Sequence, residues 1–304
     1  MTWLTDPLSV DFMVRALVGG GLAAVLCAVV GTWVVVRGMA FLGEALSHGM
    51  LPGVAVATLT GIPAVLGAAV SAAVMVFGVG ALRRRARLSY DTSIGLLFVG
   101  MLALGVIIVS SSRSFATDVT AILFGDVLAV TRTDLVGLAA AVVVALALAS
   151  AFHRSFTATA FDPRKAATLG LRPRLAEVVL IALVTLAVVA SYRAVGTLLV
   201  VGLLLAPAAA ARVWTRHVVS TMALGAGFGC TAVLAGLLVS WHAGTAAGAS
   251  IAVVAVVSVA LSRAVAAVVR RPVAPTTTPV PAPTSAATRR PTTPRSTAPP
   301  REGA

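Results

Sequence analysis

The chain reads as a succession of long apolar runs divided by short polar joints. The runs fall at about 12–36, 42–60, 63–82, 92–112, 135–152, 175–191, 195–211, 218–239 and 245–268. A helix that crosses a bilayer needs about 20 consecutive, mainly apolar residues. The pattern therefore predicts an all-α polytopic membrane protein with about nine transmembrane helices. The first two runs are joined by a single charged residue, Arg37, and an eight-span alternative would disturb only that end.

Composition excludes a soluble globular chain. Of 304 residues, 59% are hydrophobic and 11% charged, and the mean hydropathy is +1.02. Ordinary soluble domains carry about 25% charged residues. A water-soluble chain of this length could not bury so much apolar side chain and still cover itself.

The joints carry the orientation. The net charge of +13 would suggest nucleic acid in a soluble protein. Here the basic residues collect between and after apolar runs. Arg83, Arg84, Arg85 and Arg87 form one group; Arg154, Arg164, Lys165, Arg172 and Arg174 a second; Arg212 and Arg216 a third; everything from Arg263 onward a fourth. With nine spans these groups and Arg37 share one side, and Arg15, Arg113, Arg132 and Arg193 are left for the other. The positive-inside rule makes the loaded side cytoplasmic, which puts the N-terminus outside and the C-terminus inside the cell membrane, with no nucleic acid as partner. No basic region precedes the first run, so no cleavable signal peptide is expected.

Residues 1–271 form the transmembrane domain. Residues 272–304 are Pro, Thr, Ala and Arg with almost no large apolar side chain. Such a composition cannot offset the entropy of ordering and predicts a disordered cytoplasmic tail, whose arginines could lie against anionic membrane lipid. Cys27 and Cys230 both lie inside apolar runs and read as core thiols. The GxxxG spacings at Gly225/Gly229 and Gly244/Gly248 read as close helix packing.

Ionisable groups inside a bilayer are costly and tend to serve function. Glu44 and His48, in the run Gly43-Glu44-Ala45-Leu46-Ser47-His48-Gly49, are four apart and share a helix face. A carboxylate and an imidazole so placed can share one divalent transition metal. They can equally hydrogen-bond to each other and neutralise two buried polar groups. Zinc usually takes four ligands, so a metal would need others from elsewhere. His242, beside Trp241 at the outer end of a span, is either a ligand where metal enters or an interfacial residue. His153 and His217 lie in basic loops and read as solvated, as do Asp118, Asp126 and Asp134 in the loop between the fourth and fifth spans.

A P-loop needs Gly-Lys-Ser/Thr. The one lysine is Lys165, in Pro-Arg-Lys-Ala, so any ATP hydrolysis would have to come from another chain. The HExxH metalloprotease spacing does not occur.

The loop at 161–170 (FDPRKAATLG) carries its own punctuation. Asp162 suits an N-cap, Pro163 the first helical position and Gly170 the stop. A two-turn helix results, with Asp162, Ala166 and Gly170 four apart on a face of small residues that a partner could approach, or else a plain connector.

At these residues the sequence resembles the permease subunit of the zinc/manganese/iron (ABC-3) family of binding-protein-dependent ABC importers. The matching stretches are 39–54 (MAFLGEALSHGMLPGV), 91–101 (DTSIGLLFVGM), 124–128 (FGDVL), 161–170 and 195–208 (VGTLLVVGLLLAPA). Within the family, 238–249 (LVSWHAGTAAGA) looks most like zinc permeases of the Azt type. The resemblance implies a homodimeric permease with ABC ATPase subunits and an extracytoplasmic metal-binding protein. It implies no permanently bound cofactor, only a transported divalent metal, with zinc the first expectation and manganese or iron the alternative. It puts Glu44 and His48 on the translocation path, Glu44 where the family usually has aspartate. It docks Phe161, Asp162, Ala166 and Gly170 on the ATPase. Two further readings are an intramembrane metalloenzyme that uses the same pair as ligands and an ion-coupled secondary carrier. The first lacks a third ligand and a general base, and the second would need no ATPase.

Overall fold

The computed structural model describes residues 10–86, 88–111 and 127–269, and among these every regular element is helical. Arg87, Arg113, Asp118, Asp126 and the tail at 272–304 lie outside the described residues. In chain order the helices are α1 (Asp11–Val36), α2 (Ala40–Gly49), α3 (Leu51–Thr60), α4 (Ala64–Arg85), α5 (Tyr90–Ser110), α6 (Arg132–Ala151), α7 (His153–Phe161), α8 (Pro163–Thr168), α9 (Pro173–Arg212), α10 (Val218–Ala243) and α11 (Ala247–Val269), with a 3-10 turn at Val127–Ala129 before α6.

Among the described residues eight stretches are long and apolar enough to cross a membrane, the two halves of α9 being counted separately. The second apolar run is the one that does not make a single long helix. It is split into α2 and α3 at Met50. Pro52 explains the break: it has no N–H to give to the His48 carbonyl, and its ring crowds that turn. The two half-helices still traverse the bundle between them. α2 starts where α1 ends, Met39 N–H bonding to the Val34 carbonyl, and α4 returns antiparallel to both. The Ser71 hydroxyl donates to the Gly49 carbonyl at 2.8 Å, and Gly53 and Gly67 meet backbone to backbone. Nine apolar segments thus yield eight continuous spans and one broken one.

α9 runs for 40 residues but Gly196, with φ 73° and ψ 164°, interrupts it. Glu177 near its start pairs with Arg83 at the end of α4, and Leu204 in its second half lies on Gly31 near the end of α1. Both are at the same end of the bundle, so the chain turns back at Gly196. Only glycine takes that φ without strain.

α1 is the hub. It packs against both halves of α9, against α10 and against α6. The close approach rests on glycine: the face of Gly31 lies on the Leu204 carbonyl, and Gly225 and Gly229 of α10 lie against Ala28 and Ala24. Trp33 and Leu26 of α1 are fully buried there. The GxxxG spacing at 225/229 is therefore a packing seam, and Cys27 and Cys230 are free thiols near it. Gly244 plays a different part from the one its spacing suggests: with φ 63° it terminates α10.

Arg83, Arg84 and Arg85 complete the last turn of α4 and are not a loop. There their charge complements the negative end of the helix dipole. They lie at the end of the bundle where α1 finishes, as do α7 and the Trp214–Ser262 contact that joins α9 to α11.

Candidate functional site

Glu44 and His48 lie on α2, a 10-residue helix that is short because of Pro52. Glu44 Oε1 stands 3.3 Å from His48 Nε2; the Glu44 side chain is 40% exposed and that of His48 13%. The pair thus has one open side, shared with the exposed ring of Phe41. His48 is in the last turn of α2, where the helix dipole favours a cation.

The separation suits a shared ion. Two ligands each ~2.05 Å from a tetrahedral zinc stand roughly 3.3–3.4 Å apart. At the right angle of an octahedral site, the longer bonds of a larger ion bring two ligands to a similar separation. The same 3.3 Å is also that of a long Glu–His hydrogen bond. Among the described residues no group of three or more His, Cys, Asp or Glu gathers in one place. Among the described residues one chain therefore offers two ligands at this place.

Besides the Glu44 contact, a ring sets the imidazole. Phe98 of α5 meets His48 edge to face, centroids 5.8 Å apart at 66°, and also meets Phe41 at 6.0 Å and 64°. His48 Nδ1 is buried and has no hydrogen-bond partner among the described residues. Sequence spacing could not have found Phe98, because it sits on another helix 50 residues further along.

His242 is not brought to this pair. It is exposed at the far end of α10, where Trp241 meets Phe12 at the start of α1 (6.3 Å), opposite to the end where α2 begins. His153 is half-buried against Trp33, ring centroids 5.5 Å apart, and is no solvated loop residue. His217 is the N-cap residue of α10. Asp134 is structural, since with Thr131 it forms a capping box that starts α6.

The loop helix forms as its punctuation dictates. Asp162 Oδ1 accepts the N–H groups of Arg164 (2.8 Å) and Lys165 (3.2 Å). At the other end Gly170 has φ 74°, its N–H bonds to the Ala167 carbonyl, and the Leu171 N–H bonds to that of Ala166. That pair of bonds is the Schellman stop. The face at four-residue spacing is not the open one, however. Ala166 is fully buried, whereas Phe161 is 87% and Leu169 72% exposed. The approachable surface is two large apolar side chains. α7, which leads into α8, is pinned to the hub helix by Phe156 against Trp33 at 5.2 Å.

The sequence matches the ABC 3 transport family over residues 9–266. It is 33% identical over 257 residues to the manganese transport system membrane protein MntC of Listeria monocytogenes, covering 84% of this chain and 91% of that protein. It is 32% identical over 253 residues to the chelated iron transport system membrane protein YfeD of Yersinia pestis, covering 83% and 84%. Among solved structures it is similar to PsaBC from Streptococcus pneumoniae in complex with Fab, with a TM-score of 0.77, 31% identity, and 86% of this chain and 94% of that one covered.

Proposed function

The chain belongs to the ABC 3 transport family, and on that footing we propose that it is the membrane half of an ATP-driven importer carrying zinc into the cell. Membership makes it a multi-pass permease of the metal-importer type in a bacterial plasma membrane. The rest is our reading. The end of the bundle that gathers the arginines faces the cytoplasm, with the N-terminus outside. An extracytoplasmic protein delivers the ion; it meets Glu44 and His48 and passes inward as separate ATPase subunits, docked on Phe161, Asp162, Gly170 and the neighbouring Leu169, drive the change of access. Ala166 would act from beneath, by seating that helix.

The observation that carries the metal path is the Glu44–His48 pair, 3.3 Å apart with one side open. Two copies related by a twofold axis, as in most homo-oligomers, would bring two carboxylates and two imidazoles together and complete four ligands. Zinc is favoured by the likeness of residues 238–249 to Azt-type permeases. Manganese or iron is the second reading, favoured by the names of the relatives.

Uptake of labelled zinc, manganese and iron by cells expressing the whole transporter tests both points. Glu44→Ala and His48→Ala should each abolish uptake while the protein stays in the membrane. A dimer with one doubly substituted protomer should lose most transport. Normal uptake by either single variant would sink the metal path, half the wild-type rate in the mixed dimer would sink the shared site, and manganese outcompeting zinc would reassign the cargo.

A further inference from the structure

An imidazole that binds a metal needs its ring plane fixed, and the usual device is a hydrogen bond from the other ring nitrogen to a carboxylate or carbonyl. His48 lacks that device: Nδ1 is buried without a partner among the described residues. Its ring is nonetheless held at a definite angle, and the side chain that holds it comes from α5. Phe98 lies edge to face against His48 at 5.8 Å and is itself braced by Phe41, one turn before Glu44, at 6.0 Å. Edge-to-face ring contacts at these distances are attractive and directional. The two rings of α2 thus flank one ring of α5.

We propose that Phe98 is a positioning residue that fixes the His48 imidazole and thereby sets which ion the Glu44–His48 pair accepts. The inference rests on Glu44 and His48 being metal ligands. With Phe98 in place, Nε2 faces Oε1 at 3.3 Å, the spacing two ligands take on a tetrahedral ion. Without it only the 3.3 Å contact with Glu44, itself on a flexible side chain, resists rotation of the imidazole about χ2, a broad torsion in histidine. The separation of the ligand atoms then adapts to any ion, and discrimination by geometry goes with it.

The test is uptake kinetics of labelled zinc and manganese in cells carrying the whole transporter with Phe98→Leu, alongside Phe98→Met, which keeps more of the volume. The expected result is a zinc KM raised about tenfold, the low end for loss of an outer partner of a metal ligand. The maximal rate should stay near wild type, and the zinc-to-manganese ratio of kcat/KM should fall. Leu97→Val, a change on the same helix that faces Gly78, should alter neither KM nor ratio. Unchanged KM and ratio in the Phe98 variants would overturn the proposal. So would a rate that merely falls with the amount of protein, or failure of both variants to accumulate, since either makes Phe98 a packing residue. His48→Ala in the same assay separates the two levels: normal uptake there removes the metal path itself, whereas abolished uptake beside an unaltered Phe98→Leu removes only this inference.

Discussion

Gly31 of α1 and Gly43 of α2 both lean on Leu204, and they do so in opposite ways. A Cβ on Gly31 would fall on the Leu204 carbonyl, a backbone group that cannot rotate aside. A Cβ on Gly43 would come 2.7 Å from Leu204 Cδ2, the tip of a side chain that can. The first contact belongs to the seam of α1, α9 and α10, where helices touch through backbone. The second belongs to the broken helix that carries Glu44 and His48 and leaves Glu44 40% exposed. Backbone-to-backbone packing has one solution; side-chain packing has several. A permease that alternates its access needs both kinds side by side, a frame that keeps its shape and a segment that can shift against it.

The largest expected effect breaks the frame. Gly31→Ala forces α1 and α9 apart along their length, a cost at or beyond the upper end of the ~1–3 kcal/mol usual for overpacking. Little monodisperse protein should be recovered from the membrane. Gly43→Ala asks only for a new Leu204 rotamer and should yield protein with a melting temperature within a few degrees of wild type. Equal recovery and equal melting temperatures for the two variants would remove the distinction.

The loop helix allows the same contrast on a smaller scale. Ala166 is buried, whereas Phe161 at the end of α7 and Leu169 at the end of α8 are exposed. Ala166→Arg should dislodge α8, because a buried unpaired charge is strongly destabilising. Phe161→Ala with Leu169→Ala should leave the fold alone and weaken association with the ATPase subunit about tenfold or more, the loss expected of a large side chain at the centre of an interface. Copurification read together with thermal stability checks both. Retention of the ATPase by the double variant would mean that docking uses another surface.

The sequence carried the spans because hydropathy over about 20 residues is a local property. It carried α8 for the same reason: Asp162, Pro163 and Gly170 act on the backbone within a few residues of themselves, and each cap bond formed as expected. Two further signals are local as well. Pro52 marks the break after His48, and the Thr131/Asp134 spacing marks the start of α6. The burial of Ala166 was a different matter, since spacing shows which residues share a face and not whether that face turns inward. The Phe98–His48 contact joins α5 to α2, and the seat of His153 on Trp33 joins α7 to α1. Such meetings depend on how helices are placed against each other, which no single helix encodes.

Arg83 and Glu177 offer the mildest probe of the same contrast, because they join helices at the periphery, away from both the frame and the segment that shifts. Arg83 Nη1 stands 3.4 Å from Glu177 Oε1, with the two side chains 44% and 39% exposed, and the guanidinium lies over the Tyr90 ring at 4.9 Å. One cluster thus links the end of α4, the start of α5 and the start of α9. Exposure decides its worth: an ion pair this open is screened and typically couples by about 0.2–1 kcal/mol. A double-mutant cycle with Arg83→Gln and Glu177→Gln, read from thermal unfolding, should fall in that range and shrink as salt is raised. Each single variant should transport at close to the wild-type rate. A coupling above about 2 kcal/mol that salt does not weaken would be foreign to a solvated pair. It would mean that this corner is covered in the assembled transporter and belongs to the frame after all.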